Sequence, residues 1–517
     1  MPIYAQGTLN TTALIVPDLY VQIVPPQTLL LNGVPTDILG VVGTASWGPV
    51  GEPTIVGSMS DYATAFGPVM ARKYDMGTPV ATAVQQGAAN FRCVRIADGT
   101  DTAAALSLLG AVNFTALYTG SQGTSLMLTL AAGSAANSWR LTVALPGLSP
   151  EVFDNITGTG AAFWTAMTQA VNSGSGVLRG PSQLVVASLM SANANPIAGM
   201  YPFSAGTPGT DGANNIAAAQ LVGSDSLPRT GMYALRGQGC ALALLADADD
   251  ATQWSVQVAF GLSESIYMIL TGPAGDSISN AVVTKAVAGI DSYAAKLMFG
   301  DWIYWYDQAN AITRLVSPQG FVAGRLANLS PEQSSLNKPL YGVIGSQKSG
   351  QPGVGTATTY ASADLSVLLS AGIDVIANPQ PGGAFWGVRG GHNSSSNAAI
   401  NGDNYTRLTN YIARTLSAGM GAYVGQLVNA TLFQNIRATL LAFLNALLGQ
   451  GLLGSTDGSL PFAVVCDTTN NPTSRTGLGY VQADCQVQYQ AINEKFIVNV
   501  QGGQTVQVSR QSVLVIA

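Results

Sequence analysis

Two textures of hydrophobic and polar positions alternate along this chain, and each predicts its own kind of element. In the first, apolar residues come in short, nearly unbroken runs: Asp37-Ile-Leu-Gly-Val-Val-Gly43, Phe91-Arg-Cys-Val-Arg-Ile96, Cys240-Ala-Leu-Ala-Leu-Leu245, Ser265-Ile-Tyr-Met-Ile-Leu270 and Ile373-Asp-Val-Ile-Ala377. A half-exposed strand would alternate, so such runs predict strands of a sheet covered on both faces. Helical stretches lie between them. Ser58 is placed to cap a helix that reaches Phe66 before Gly67-Pro68 stops it, and others are predicted from about Pro79 to Ala89, after Asp247-Ala-Asp-Asp250, from Ser279 to Ala288 and through Leu365 to Leu369. Strand and helix in alternation predict a mostly parallel sheet with flanking helices.

The second texture interrupts the first. From about Asp98 to Gly206 the chain turns to Thr, Ser, Gly and Ala with alternating patterns such as Ser125-Leu-Met-Leu-Thr-Leu130 and Trp139-Arg-Leu-Thr-Val-Ala-Leu145, and one helix around Ala161 to Val171. This reads as a mostly β domain inserted in a loop of the α/β layer. Near the carboxyl end, Leu432, Ile436, Leu440, Phe443, Leu444 and Leu447 follow helical spacing from a capping Asn429 to Gly449. Val481, Ala483, Cys485, Val487 and Tyr489 then alternate with polar residues, the mark of a strand with one apolar and one wet face. Lys495-Phe-Ile-Val-Asn-Val500 reads as a further strand.

Both ends are extended and β-prone. Ala13-Leu14-Ile15-Val16 and Tyr20-Val21-Gln22-Ile23-Val24 are punctuated by Pro17, Pro25 and Pro26, and Thr505-Val-Gln-Val-Ser509 and Ser512-Val-Leu-Val-Ile516 close the chain. An unpaired apolar strand is an aggregation hazard unless a partner sheet accepts it. The alternatives are arms that fold back on their own domain and arms that add a strand to a neighbouring copy, with Leu14, Val16, Val21, Ile23, Val506, Val508, Val513 and Val515 as the contact residues. Two outward arms would tie each copy to more than one neighbour. The layout expected is an arm (1–26), the first part of the α/β core (27–97), the inserted β domain (98–206), the α/β domain (207–388), a carboxyl-terminal domain (389–503) and a second arm (504–517).

Composition changes the picture in one respect. Only 9% of the 517 residues are charged, against about a quarter in ordinary soluble domains. Either the surface is rich in Ser, Thr, Asn and Gln, or much of it is covered by copies and partners. The net charge is −6 and the 21 basic residues form no run, which argues against direct nucleic-acid binding. The first basic residue is Arg72, so the start lacks the positive region of a signal peptide and a cytoplasmic origin is expected. The uncharged-looking stretch from Ala438 to Thr456 is broken by Asn445 and Gln450 and reads as a core helix, not a membrane insertion.

Chemistry is thinly represented. His392, the one histidine, sits in a polar loop with no G-x-S-x-G element nearby, a weak basis for an α/β hydrolase. Asp247, Asp249 and Asp250 suit a helix start better than a cation site. Cys93, Cys240, Cys466 and Cys485 lack metal spacing and fit reduced thiols, although Cys466 and Cys485 could meet on neighbouring strands. Gly342-Val-Ile-Gly-Ser-Gln-Lys-Ser349 lacks phosphate-loop spacing and reads as a loop, and Trp302, Tyr304, Trp305 and Tyr306 read as core packing. No enzyme activity, cofactor or metal is expected.

The order of signatures resembles contractile phage tail sheath proteins over nearly the whole chain. Gly40-Val-Val-Gly-Thr-Ala-Ser-Trp-Gly-Pro49, Ser60-Asp-Tyr62 and Phe66-Gly-Pro68 look like the family's opening. Phe385-Trp-Gly-Val-Arg389, Tyr405-Thr-Arg-Leu408, Gly451-Leu-Leu-Gly454 and Phe462-Ala-Val-Val-Cys-Asp467 follow in the family's order. The resemblance implies a subtilisin-like middle domain without protease function. It also implies a virion subunit, assembled in a bacterial cytoplasm, that polymerises helically, in six-membered rings, around a tail tube. Contraction would drive the tube through a cell envelope for genome ejection. Baseplate, tail terminator and tube proteins are the implied partners, and a headless tailocin particle is the alternative. The implied tube contact is the helix from Asn429 to Leu448 or its flanking loops, where Arg437 is the only charge.

Overall fold

The computed structural model describes residues 3–6, 20–23, 31–174, 179–351 and 359–500. Its centre is a seven-stranded sheet in the order Ile373–Asp374, Ala295–Met298, Tyr267–Thr271, Leu242–Leu245, Leu39–Gly43, Phe91–Arg95, Pro53–Val56. Neighbours are parallel except the last, which runs antiparallel at the edge. Leu39–Gly43 lies inside the sheet, and later strands add on either side of it, the doubly wound arrangement.

The apolar runs are explained by where alternate residues go. Val42, Val94, Ala243, Leu245, Met268 and Leu270 enter one buried cluster, under the Trp254–Glu264 and Ile278–Val287 helices. Leu39, Val41, Cys93, Leu242, Leu244 and Ile269 enter the other, under Met59–Phe66, Gly77–Gln85 and Gln319–Ala327. Local signals behave as read: Ser58 accepts the Asp61 N–H, and Gly67 ends that helix at φ 81°, where a Cβ would be strained.

The inserted residues form two antiparallel sheets. One has four strands (Glu151–Ile156, Trp139–Ala144, Met127–Ala132, Gly199–Pro202) and the other three (Val185–Leu189, Val112–Ala116, Ala105–Leu108). They close with the Gly160–Ser173 helix around a separate core that contains Phe163, Trp164 and Met167. Trp47, from the α/β layer, plugs into this core and meets the Tyr118 ring edge-on at 5.3 Å. Arg72 pairs with Asp211 at 2.5 Å across the same joint, and the buried Arg95 donates to the carbonyls of Gly48 and Thr119, both at 2.7 Å.

Three readings need correction. Residues 342–349 are not simply a loop: Val343–Ser346 is a strand that pairs antiparallel with Ile303–Asp307, because the aromatic strand offers an open edge there. Trp302, just before that strand, and Trp305, on it, are buried, but Tyr306 is exposed, since a two-faced antiparallel sheet leaves alternate strand positions wet. The first arm is not one extended strand. Ile3–Gln6 pairs in parallel with Tyr20–Ile23, with Tyr4 opposite Val21 and Gln6 opposite Ile23, so part of it satisfies its own backbone. Leu14, Val16, Val506, Val508, Val513 and Val515 lie outside the described residues.

Candidate assembly surfaces

The carboxyl-terminal region consists of two helices, Asp403–Gly419 and Ala430–Gly449, packed on a two-stranded antiparallel sheet of Phe462–Val465 and Asp484–Val487. The Asn429 side chain caps the second helix by accepting the Leu432 N–H at 2.8 Å. Leu432, Ile436, Leu440, Phe443, Leu444 and Leu447 are all buried against Leu408, Phe462 and Val464. This helix is long and apolar enough to cross a membrane, and its apolar face is instead spent on this core. Arg437 is on the opposite, exposed face.

Only Asp484–Val487 of the predicted alternating strand is in a ladder, and among the described residues neither outer edge of this small sheet has a partner. Val487 and Tyr489 pack toward the core, while Cys485, opposite Val464, is exposed. A groove of about 770 Å³ runs between this strand and the Asp403–Gly419 helix, floored by Tyr405, Ile412, Leu416, Val487 and Ile492. The predicted strand at 495–500 has no ladder partner among the described residues: it carries no regular secondary structure and is exposed, Phe496 at 82% and Val500 at 86%. A second exposed apolar site is the turn between the helices, where Val424 and Leu427 are each 85% exposed.

These surfaces are mounted on the central sheet by a buried ionic cluster. Lys296, on an inner strand and 0% exposed, donates from Nζ to Asp374 Oδ2 at 2.6 Å, to Asp403 Oδ1 at 3.1 Å and to the His392 carbonyl at 2.9 Å. Asp374 also accepts the backbone N–H groups of Val375, Gly390 and Gly391, each at 2.8 Å, and of His392 at 3.2 Å. Asp403 opens its helix, where the backbone dipole favours a negative charge, and takes the hydroxyls of Tyr267, at 2.7 Å, and Ser335. Burial alone would lower the Lys296 ammonium, but the two carboxylates outweigh it and hold it above its ordinary value. Burial likewise works to raise Asp403, and Lys296 with the two hydroxyls holds it below the usual carboxylate range. Sequence reading passed over this cluster. Its only sign is a lone lysine and a lone aspartate inside apolar strands.

The other candidates resolve into structural roles. His392 Nε2 lies 2.7 Å from Glu494 Oε1, so the imidazole faces a carboxylate and not a nucleophile. Asp250 caps the turn that opens the Trp254–Glu264 helix, and Asp249 pairs with Lys73 at 2.9 Å. Asp247 is buried, and burial pushes its carboxyl up. Cys93 and Cys240 are buried free thiols, the latter pushed up to about 12 by burial. Among the described residues no group of three or more His, Cys, Asp or Glu is placed to hold a metal.

A doubly wound α/β layer carrying an inserted β domain and this carboxyl-terminal helical region is the fold of contractile tail sheath proteins. The chain aligns with the sheath tail protein of Listeria innocua over 85% of its own length and 90% of that chain, with a TM-score of 0.59 and 14% identity. For the sheath tail protein of Desulfitobacterium hafniense the values are 87%, 93%, 0.55 and 15%. For the helical sheath of the anti-feeding prophage in its contracted state they are 95%, 99%, 0.56 and 12%. No family model and no curated protein sequence matches the chain. Sequences so far apart share the fold; what this chain does is argued from its own surfaces.

Proposed function

We propose that the chain is the structural subunit of a contractile tail sheath, polymerising helically around a tube and shortening to drive that tube through a cell envelope. The observation that carries this reading is the pairing of a donor with an acceptor on one fold. An apolar segment, Phe496 to Val500, is exposed with nothing covering it among the described residues, and the small sheet of Phe462–Val465 and Asp484–Val487 has outer edges without a partner among them. Main-chain hydrogen bonds from an added strand would satisfy both. The arm residues Leu14, Val16, Val506, Val508, Val513 and Val515 extend the donors on either end. The anti-feeding prophage structure is of a helical sheath, and other solved neighbours are of its baseplate, which supports self-association next to baseplate proteins.

Tube and terminator proteins complete the proposed partners. Arg437 and the Val424–Leu427 turn are the proposed tube-facing residues, the turn adding an apolar contact that a helix with one charge lacks. Assembly in a bacterial cytoplasm, incorporation in a virion and non-enzymatic action belong to the same proposal, and a headless tailocin particle fits it equally.

Negative-stain electron microscopy of the purified chain tests it. Full-length protein is expected to form rings or tubes, and a version lacking Met1–Val16 and Thr505–Ala517 is expected to stay monomeric. Full-length chains that remain monomeric at every concentration and salt, even with tube and baseplate proteins added, would refute the sheath reading.

A further inference from the structure

We infer that the His392–Glu494 pair is the tether that fixes where the carboxyl-terminal arm leaves the body. The inference rests on the reading of that arm as an assembly element. After the Asp484–Val487 strand the chain is held at successive points. The Gln488 N–H donates to the Pro461 carbonyl at 2.7 Å, and the Tyr489 ring meets Tyr405 edge-on at 5.7 Å. Next, the Gln490 carbonyl accepts the Asn404 side chain at 3.0 Å. The last hold is Glu494 on His392 at 2.7 Å. Beyond it, no hydrogen bond from 495–500 reaches another described residue, and the apolar side chains face outward.

The anchor is well placed for this role because the histidine is itself immobile. Its N–H and C=O are both engaged by the buried cluster, through Asp374 and Lys296, so the ring projects from a rigid platform. Glu494, by contrast, lies in a stretch, 491–500, where its bond to His392 is the one hydrogen bond to another described residue. The charged groups around the ring are Arg389 and Lys495, which line the same groove of about 840 Å³ as His392 and Glu494, and, beneath it, Asp374, Lys296 and Asp403, which satisfy one another. Among the described residues that line the groove, Glu494 is the one carboxylate.

The experiment is limited trypsin digestion of the unassembled full-length chain, following by mass spectrometry the cut after Lys495, the residue next to the tether. His392→Ala is expected to speed that cut about fivefold, the order of one lost, partly exposed hydrogen bond. Glu494→Gln, on the surface and so without risk to folding, should give an intermediate rate, each rate being normalised to trypsin's own rate on an unstructured peptide. Equal normalised cutting of wild type and both variants would overturn the tether. Microscopy of the same samples separates the two ideas: tubes from wild type with unchanged trypsin rates refute the tether alone, whereas altered rates without tubes under any condition leave the tether standing and refute the sheath.

Discussion

Replacing Lys296 by Met is expected to destabilise the joint between the central sheet and the carboxyl-terminal helices by about 3–5 kcal/mol. The lysine is fully buried with three partners, and its removal leaves Asp374 and Asp403 facing each other in a dry interior with no cation between them. Lys296→Arg should not rescue, since a wider, forked guanidinium has no room at a position with 0% exposure. A chain with several cores does not unfold in one step, so the measurement is hydrogen exchange of the Asp403–Gly419 helix in urea, compared with the inserted domain as an internal control. Helix protection within about 1 kcal/mol of wild type would sink the idea.

The pH behaviour of this cluster follows from the signs. Lys296 is raised, so its contribution is complete below its ordinary value of 10.5 and lost only above it. Asp403 is lowered, so its contribution is complete above its ordinary 3.8 and lost as pH falls below that. The joint should be indifferent to pH between those limits.

Asp75 has the opposite sign in the same window, and Asp75→Asn is expected to stabilise the chain at pH 8 while changing little at pH 4. Burial pushes this carboxyl up to about 7, against the pull of Arg72, because it is fully enclosed. Its Oδ2 accepts the Thr78 N–H and hydroxyl at 3.1 and 3.2 Å, but among the described residues Oδ1 and the nearby Tyr62 hydroxyl have no partner. The folded state therefore binds a proton that the unfolded chain releases near 3.8, and stability falls as pH rises from there to about 7. A shift of that size corresponds to a loss on the order of 4 kcal/mol at pH 8, which asparagine avoids by never ionising. Thermal melts of both proteins at pH 4, 6 and 8 check it; parallel curves for the two would mean that Asp75 is not the group responsible.

Much of the scaffold could be read from local pattern. The doubly buried strands show as unbroken apolar runs because a sheet covered on both faces asks the same of every position. The Ala430–Gly449 helix shows its spacing and its Asn429 cap because both are satisfied within a few residues. The weaker readings fell where a partner decides. Lys495–Val500 has the composition of a strand, but a strand is defined by a neighbour, and among the described residues of one chain none is there. Val343–Ser346 reads as a loop until the edge of Ile303–Asp307 is placed beside it.

The sequence by itself determined the α/β class, the inserted β domain, the amphipathic carboxyl-terminal helix and the low surface charge, since each depends on periodicity, capping or composition over short stretches. Only the tertiary structure decided that Lys296 meets Asp374 and Asp403, that His392 holds Glu494, and which apolar residues stay outside. The reason is physical. These pairings join residues dozens to more than a hundred positions apart, and the cost of burying a charge is met by partners that no local pattern can announce.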